Sequence, residues 1–125
     1  MKAISIVLAG LLMGGFAQAA QVTCDGAADV YKFSVQAAFD AQNRINGTIK
    51  LIISDGADMN ETIELNPTQG ELKPAQSILM AGENDMGSGL IEATYDAAAG
   101  NYPGTLKASA AGTDVELEVV CTVAP

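Results

Sequence analysis

Apolar and polar residues alternate along three stretches of this chain, and the alternation is the feature that most constrains its fold. The pattern runs through residues 31–37, 45–53 and 115–123. Because successive side chains of a β-strand point to opposite faces, strict alternation predicts strands with one buried face and one solvated face. A short continuation and three weaker candidates have a similar character, at residues 62–65, 22–24, 90–95 and 105–110.

These strands predict an all-β fold with about seven or eight short antiparallel strands separated by turn-forming residues. A single immunoglobulin-like sandwich and a small barrel both fit, since strand pairing is not visible in one sequence. Two segments contain helical signals. Residues 37–43 include helix formers, and residues 74–82 begin with a proline and end with a glycine, which predicts one short helical turn.

The N-terminus has the features of a secretory signal peptide. Lys2 precedes an apolar run over residues 4–16, and Ala17-Gln18-Ala19 supplies small residues at a cleavage position. The apolar run is too short to span a membrane. We therefore expect residues 1–19 to be cleaved, residues 20–125 to form a single β domain, and the product to be periplasmic or secreted.

The two cysteines, Cys24 and Cys121, stand near the two ends of the expected domain. In an exported protein, one disulfide is the simplest use of two cysteines, and the CxxC spacing of a redox-active pair is absent. The bond would close almost the whole domain. The chain-entropy model assigns a loop of this size roughly 4–5 kcal/mol of stabilisation.

Charge argues against two classes of partner. The chain has 6 basic and 15 acidic residues and a formal charge of −9, and the loss of Lys2 with the leader would make it −10. Such a charge repels nucleic acid and anionic lipid. We expect no nucleic-acid partner and no membrane insertion after cleavage, whereas a protein partner of unknown identity remains open.

The residue types that usually carry catalysis are missing. The chain has no histidine, and its cysteines are expected to be oxidised, so the common general bases, thiolate nucleophiles and zinc ligands are absent. Paired carboxylates can hydrolyse glycosides, but no tryptophan is present to line a sugar cleft. The expected function is non-catalytic: a binding or structural module of the bacterial envelope or secretome.

One loop concentrates oxygen ligands. Asp55, Asp58, Asn60 and Glu61 can supply part of a calcium shell, which requires six to eight oxygens. Their spacing differs from that of an EF-hand loop. A polar hairpin loop with an Asp-Gly turn explains the same residues, and calcium is the only cofactor that the sequence suggests.

A second candidate site lies in two segments, residues 66–70 and 82–89. The first contains Asn66, Pro67, Thr68, Gln69 and Gly70. Proline at its second position and glycine at its end are typical of a turn. The alternative is a partner-binding loop, together with the residues of a glycine-rich stretch, Met86, Gly87, Ser88 and Gly89.

The NPTQG stretch at residues 66–70 resembles the NPTTG loop of chagasin-like inhibitors of cysteine proteases, which have an immunoglobulin-like sandwich. Residues 87–89 resemble the glycine-rich second loop of that family, but the Arg-Pro-Trp third loop has no counterpart near Tyr102-Pro103. The terminal cysteines and Ser88-Gly89 also resemble features of small periplasmic lysozyme inhibitors, which are β-barrels. These resemblances imply an alternative function, inhibition of a hydrolase through residues 66–70 and 82–89.

Overall fold

Eight strands follow one another along the chain in this computed structural model, which describes residues 20–58, 60–110 and 112–124. The expected signal peptide, residues 1–19, lies outside the described residues. In the part of the chain described, no helix is long and apolar enough to cross a membrane. The strands are β1 (Ala20–Ala28), β2 (Tyr31–Phe39), β3 (Ile45–Ser54), β4 (Asn60–Lys73), β5 (Ser77–Glu83), β6 (Gly87–Thr94), β7 (Tyr102–Ala110) and β8 (Thr113–Ala124).

The strands form a closed antiparallel barrel. Each strand pairs with the next one along the chain, and β8 pairs with β1 to complete the circle. The all-β prediction is confirmed, and of the two expected architectures the barrel is the one formed. Closure matters physically because it leaves no row of unpaired backbone groups at a sheet edge.

The predicted disulfide is confirmed. Cys24 and Cys121 are 97 residues apart in sequence but lie directly opposite each other in the β1–β8 pairing, with their Cα atoms 3.9 Å apart. Both side chains are fully buried in the core. The bond therefore joins the first and last strands at the seam where the barrel closes. Such a bond is consistent with folding in an oxidising compartment.

The barrel interior is apolar because the alternating positions of every strand point inward. Among the described residues no polar or charged side chain is buried. The largest fully buried side chains come from four different strands, and they are Phe39, Ile78, Met80, Ile91 and Leu106. An eight-stranded barrel has an interior just wide enough to be filled by such side chains.

The prediction of a turn at residues 66–70 is wrong, because these residues lie inside β4. The pairing of β4 with β5 shifts register between Pro67 and Gln69, which is a β-bulge. A bulge tolerates a proline that would interrupt a regular ladder. Gly70 is needed for close approach, since a Cβ atom at this position would overlap the side chain of Ile45.

The prediction of helical structure at residues 37–43 and 74–82 is also wrong. Residues 74–76 form a turn, and the strand that follows, β5, alternates between buried and partly buried positions. In the other segment, Ala37 to Phe39 complete β2. A turn then begins at Asp40, whose carboxylate accepts hydrogen bonds from the backbone nitrogens of Gln42 at 2.9 Å and Arg44 at 3.1 Å. Strand pairing overrides local helix propensity in both places.

The two ends of the barrel are built differently. At the end formed by connections 40–44, 74–76 and 95–101, which we call the closed end, Tyr102 is buried and its ring packs against Tyr95 with the centroids 4.9 Å apart. The Tyr102 hydroxyl accepts a hydrogen bond from the backbone nitrogen of Ala75 at 2.8 Å. We call the opposite end, formed by connections 29–30, 55–59, 84–86 and 111–112, the open end.

Candidate binding site at the open end of the barrel

An apolar cavity of about 250 Å³ enters the barrel from the open end. The parts of its wall formed by β2, β3, β4 and β8 carry large apolar side chains. The part formed by β6 and β7 carries small residues. The large residues are Phe33, Leu51, Ile53, Ile63, Leu65 and Val115, and the small ones are Gly87, Ser88, Ala108, Ser109 and Ala110.

The small residues of β6 and β7 explain why the cavity exists. Ala108 lies opposite Gly89 on β6 and opposite Val115 on β8, so its short side chain leaves the space in front of the large residues unfilled. Deeper in the barrel, the space beside Met80, Ile91 and Leu106 shrinks to a void of about 10 Å³. A void of that size holds at most about one water molecule, so this deeper part of the core is nearly filled by side chains.

Large apolar side chains are also exposed around the cavity entrance. Tyr31 and Met86 line the cavity and are 40% and 67% exposed. Val30, next to Tyr31 in the β1–β2 turn, is 68% exposed. Single exposed apolar residues are ordinary, but two that line an apolar cavity, with a third next to one of them in sequence, are typical of a ligand-binding surface.

Asn84 fixes the position of Met86 at the entrance. The Asn84 side-chain oxygen accepts hydrogen bonds from the backbone nitrogens of Met86 at 2.7 Å and Gly87 at 2.9 Å. Its side-chain nitrogen donates to the backbone oxygen of Glu64 at 2.8 Å. The β5–β6 turn is thereby tied to β4, so the apolar side chain of Met86 is presented from an ordered turn.

The structure places most of the glycine-rich candidate stretch at this cavity. Met86, Gly87 and Ser88 line it, and Gly89 lies deeper on β6. Gly87 allows close packing, because a Cβ atom at this position would overlap the backbone oxygen of Ser109. The stretch is part of a tight hairpin rather than the broad loop expected over residues 82–89.

The charged residues in the connections of the open end are all acidic. The four connections of the open end contain Asp29, Asp55, Asp58 and Asp85 and, by sequence, neither lysine nor arginine. Glu61 lies opposite Ile53 in the β3–β4 pairing and two residues before Ile63. Because both isoleucines line the cavity, Glu61 belongs to the inward-facing side of β4, at its exposed beginning.

The candidate calcium ligands lie on the same side of the barrel but do not form an evident site. The Asp55 carboxylate accepts a hydrogen bond from the backbone nitrogen of Ala57 at 2.8 Å, which closes a local turn. Asn60 and Glu61 begin β4, opposite Ser54 and Ile53. Over the described residues no group of three or more histidine, cysteine, aspartate or glutamate side chains is arranged to hold a metal. Calcium binding by Asp55, Asp58, Asn60 and Glu61 stays a prediction.

The NPTQG segment lies on the outside of the barrel. Its first four residues, Asn66 to Gln69, are exposed. Thr68 and Gln69 border an outer groove that Ser88, Gly89 and Lys107 also line, so the two candidate segments do meet there. The segment is nevertheless held flat in a strand, whereas a loop that enters an enzyme cleft must protrude. Partner binding by this segment stays a prediction.

Sequence reasoning missed the cavity itself. Phe33, Ile53, Ile63 and Val115 resemble ordinary core positions of alternating strands, and nothing in their types marks them as ligand contacts. The available signal was the coincidence of small residues at 87–89 and 108–110. That coincidence becomes meaningful only when β6 and β7 are known to pair, with Gly87 opposite Ala110.

Comparison with models of known protein families, with curated proteins and with solved structures gave no significant match to this chain.

Proposed function

We propose that this protein is an exported, non-catalytic barrel that binds an apolar ligand reversibly at its open end. The cavity of about 250 Å³ carries the proposal. Pockets for small molecules are mostly apolar and contain few polar groups, and barrel mouths are a common location for them. Engineered apolar protein cavities of about 150 Å³ bind benzene, so this one has room for a larger group, such as a short alkyl chain.

The construction of the barrel supports a reversible carrier or sensor role. At the closed end, buried Tyr102 accepts the Ala75 hydrogen bond, and Cys24–Cys121 holds the β1–β8 seam, whereas the cavity lies at the open end of the described barrel. A disulfide in a small β domain supports export to an oxidising compartment, either periplasmic or extracellular. Such a scaffold binds through shape and apolar contact, and this role requires no catalytic residue.

A second candidate function is the docking of a hydrolase or another protein on the outer groove. The exposure of Thr68 and Gln69 beside Ser88 supports it. Replacing Thr68 and Gln69 together by alanine tests this role, because capture of a hydrolase in stoichiometric amounts should then be lost. Calcium dependence is a separate test, in which a calcium-bound site raises the melting temperature and a chelator reverses the rise.

The ligand-binding proposal is tested by filling the cavity. We would measure binding of an environment-sensitive apolar dye to the purified, oxidised, exported protein and to Ala108→Leu. Ala108 lines the cavity, so the added methyl groups occupy ligand space. The matched control is Ala27→Leu, since Ala27 is exposed on β1.

We expect Ala108→Leu to weaken dye binding by about tenfold or more, on the scale of a buried leucine side chain, while Ala27→Leu binds as the parent does. Circular dichroism and thermal unfolding would verify that both variants fold. Equal dye binding by all three folded proteins would overturn the proposal, because the dye would then bind elsewhere on the surface.

A further inference from the structure

We propose that the ligand is a cationic amphiphile, with its apolar chain in the cavity and an amine or quaternary ammonium head at the entrance. The inference rests on the proposed function, because it names the chemical class of ligand for the same cavity. It is carried by two features that lie together at the open end: the apolar lining and the unpaired carboxylates around the entrance.

The cavity lining determines where each part of such a ligand lies. The lining is apolar apart from the hydroxyls of Tyr31, Ser88, Ser109 and Thr113, and it contains no charged side chain. An ionised head group buried there would lose its hydration without gaining a partner of opposite charge, which is strongly unfavourable. The apolar chain of the ligand therefore enters the cavity, and its head group stays at the entrance.

The carboxylates at the entrance determine the sign of the head group. Asp29, Asp58 and Asp85 lie in three different connections of the open end, and Glu61 is on the inward-facing side of β4. A cationic head at the entrance is attracted by all of them, whereas a fatty acid carboxylate is repelled. The exposed ring of Tyr31, which lines the cavity, adds a face on which an ammonium group can rest.

Except for Asp55, which accepts a hydrogen bond within its own turn, the acids of the open end differ from those of the closed end. At the closed end, Asp40 and Asp96 accept hydrogen bonds from backbone nitrogens of their own turns. Across the described part of the chain, the side chains of Asp29, Asp58, Asp85 and Glu61 have neither a hydrogen bond nor an ion pair. Turn formation therefore explains the acids of the closed end but leaves these four free to attract a ligand.

The test compares three probes that have straight alkyl chains of nine or ten carbons and different head groups: decyltrimethylammonium, decanol and decanoate. Binding of each to the oxidised exported protein would be measured by calorimetry, below the micelle concentration, at low salt and at about 0.5 M salt, where the Debye length is only a few ångström. We expect the cation to bind about tenfold more tightly than the alcohol at low salt, and decanoate to bind most weakly. High salt should reduce the preference for the cation.

Two double variants test whether the carboxylates at the entrance cause the preference for the cation. Glu61→Gln/Asp85→Asn removes two charges at the entrance, and Glu92→Gln/Glu118→Gln removes two exposed charges from β6 and β8. We expect only the first variant to lose the preference for the cation, with its affinity for decanol unchanged. All four residues are exposed, so the variants should fold, which circular dichroism would verify.

The outcomes separate the inference from the proposed function. If decanol binds as tightly as the cation, or decanoate binds best, the cationic class is overturned and the apolar cavity remains a ligand site. Equal loss of the preference in both variants would also overturn the inference, because net charge rather than the entrance would then be responsible. If none of the probes binds, the proposed function fails and the inference fails with it.

Discussion

The side-chain oxygen of Asn84 accepts a hydrogen bond from the backbone nitrogen of Met86 at 2.7 Å. This contact links a turn-forming residue to the most exposed apolar side chain that lines the cavity. The same asparagine donates to the backbone of Glu64 on β4. One polar side chain outside the cavity lining therefore holds the turn at the entrance, and its role can be tested by substitution.

Replacing Asn84 by alanine removes two accepted hydrogen bonds and one donated bond. Because these groups are partly exposed, water replaces some of the lost bonds, and we expect a loss of about 1–2 kcal/mol in the free energy of unfolding. Urea denaturation measures it. Amide exchange at Met86 and Gly87 should accelerate, while exchange deep in β1 and β8 should not.

The control is Asn46→Ala, at an exposed position on β3. We expect it to change the free energy of unfolding by less than about 0.5 kcal/mol. If Asn84→Ala and Asn46→Ala behave alike, the β5–β6 turn is held by its backbone and Asn84 does not position the entrance.

The buried disulfide gives a second prediction. Both Cys24 and Cys121 are fully buried, so a reductant reaches the bond only after the barrel opens. We expect the native protein to resist a mild reductant and the urea-unfolded protein to be reduced readily, as measured by thiol labelling. Cys24→Ala/Cys121→Ala should lower the free energy of unfolding by about 2–5 kcal/mol. Rapid reduction under native conditions would show that the β1–β8 seam opens locally.

The closed end gives a third prediction. Tyr102→Phe keeps the buried ring but removes the hydroxyl that accepts the Ala75 hydrogen bond. We expect a loss of about 0.5–1.5 kcal/mol in the free energy of unfolding, and a smaller loss for the control Tyr95→Phe. Because Tyr102 does not line the cavity, dye binding at the open end should be unchanged. A loss of dye binding in folded Tyr102→Phe would show that the two ends are coupled.

The sequence was sufficient for those features that depend on local pattern. Alternation located β2, β3 and β8, and the position of Cys24 and Cys121 near the two ends of the expected domain predicted their bond. Features that depend on which strands pair, and in which register, could not be predicted from the sequence. The helical signal at residues 74–82 was overridden by the ladders that β5 forms with β4 and β6. The cavity depends on Ala108 lying opposite Gly89, which only the register reveals.

The last prediction concerns Gly70, which the sequence analysis assigned to a turn. Proline and glycine in the NPTQG segment indicated a turn, but Gly70 lies in β4 against the side chain of Ile45, where a Cβ atom would overlap it. We expect Gly70→Ala to lower the free energy of unfolding by about 1–3 kcal/mol through overpacking. Urea denaturation of the oxidised protein measures this change.

Combining Gly70→Ala with Ile45→Ala separates overpacking from backbone effects. The shorter side chain at position 45 makes room for the added methyl group, so Gly70→Ala should cost less free energy in the Ile45→Ala background than in the parent protein. The difference between the two costs is the coupling energy of the pair, and we expect about 1 kcal/mol or more. Equal costs in the two backgrounds would instead assign the role of Gly70 to the backbone of the bulge, independently of its contact with Ile45.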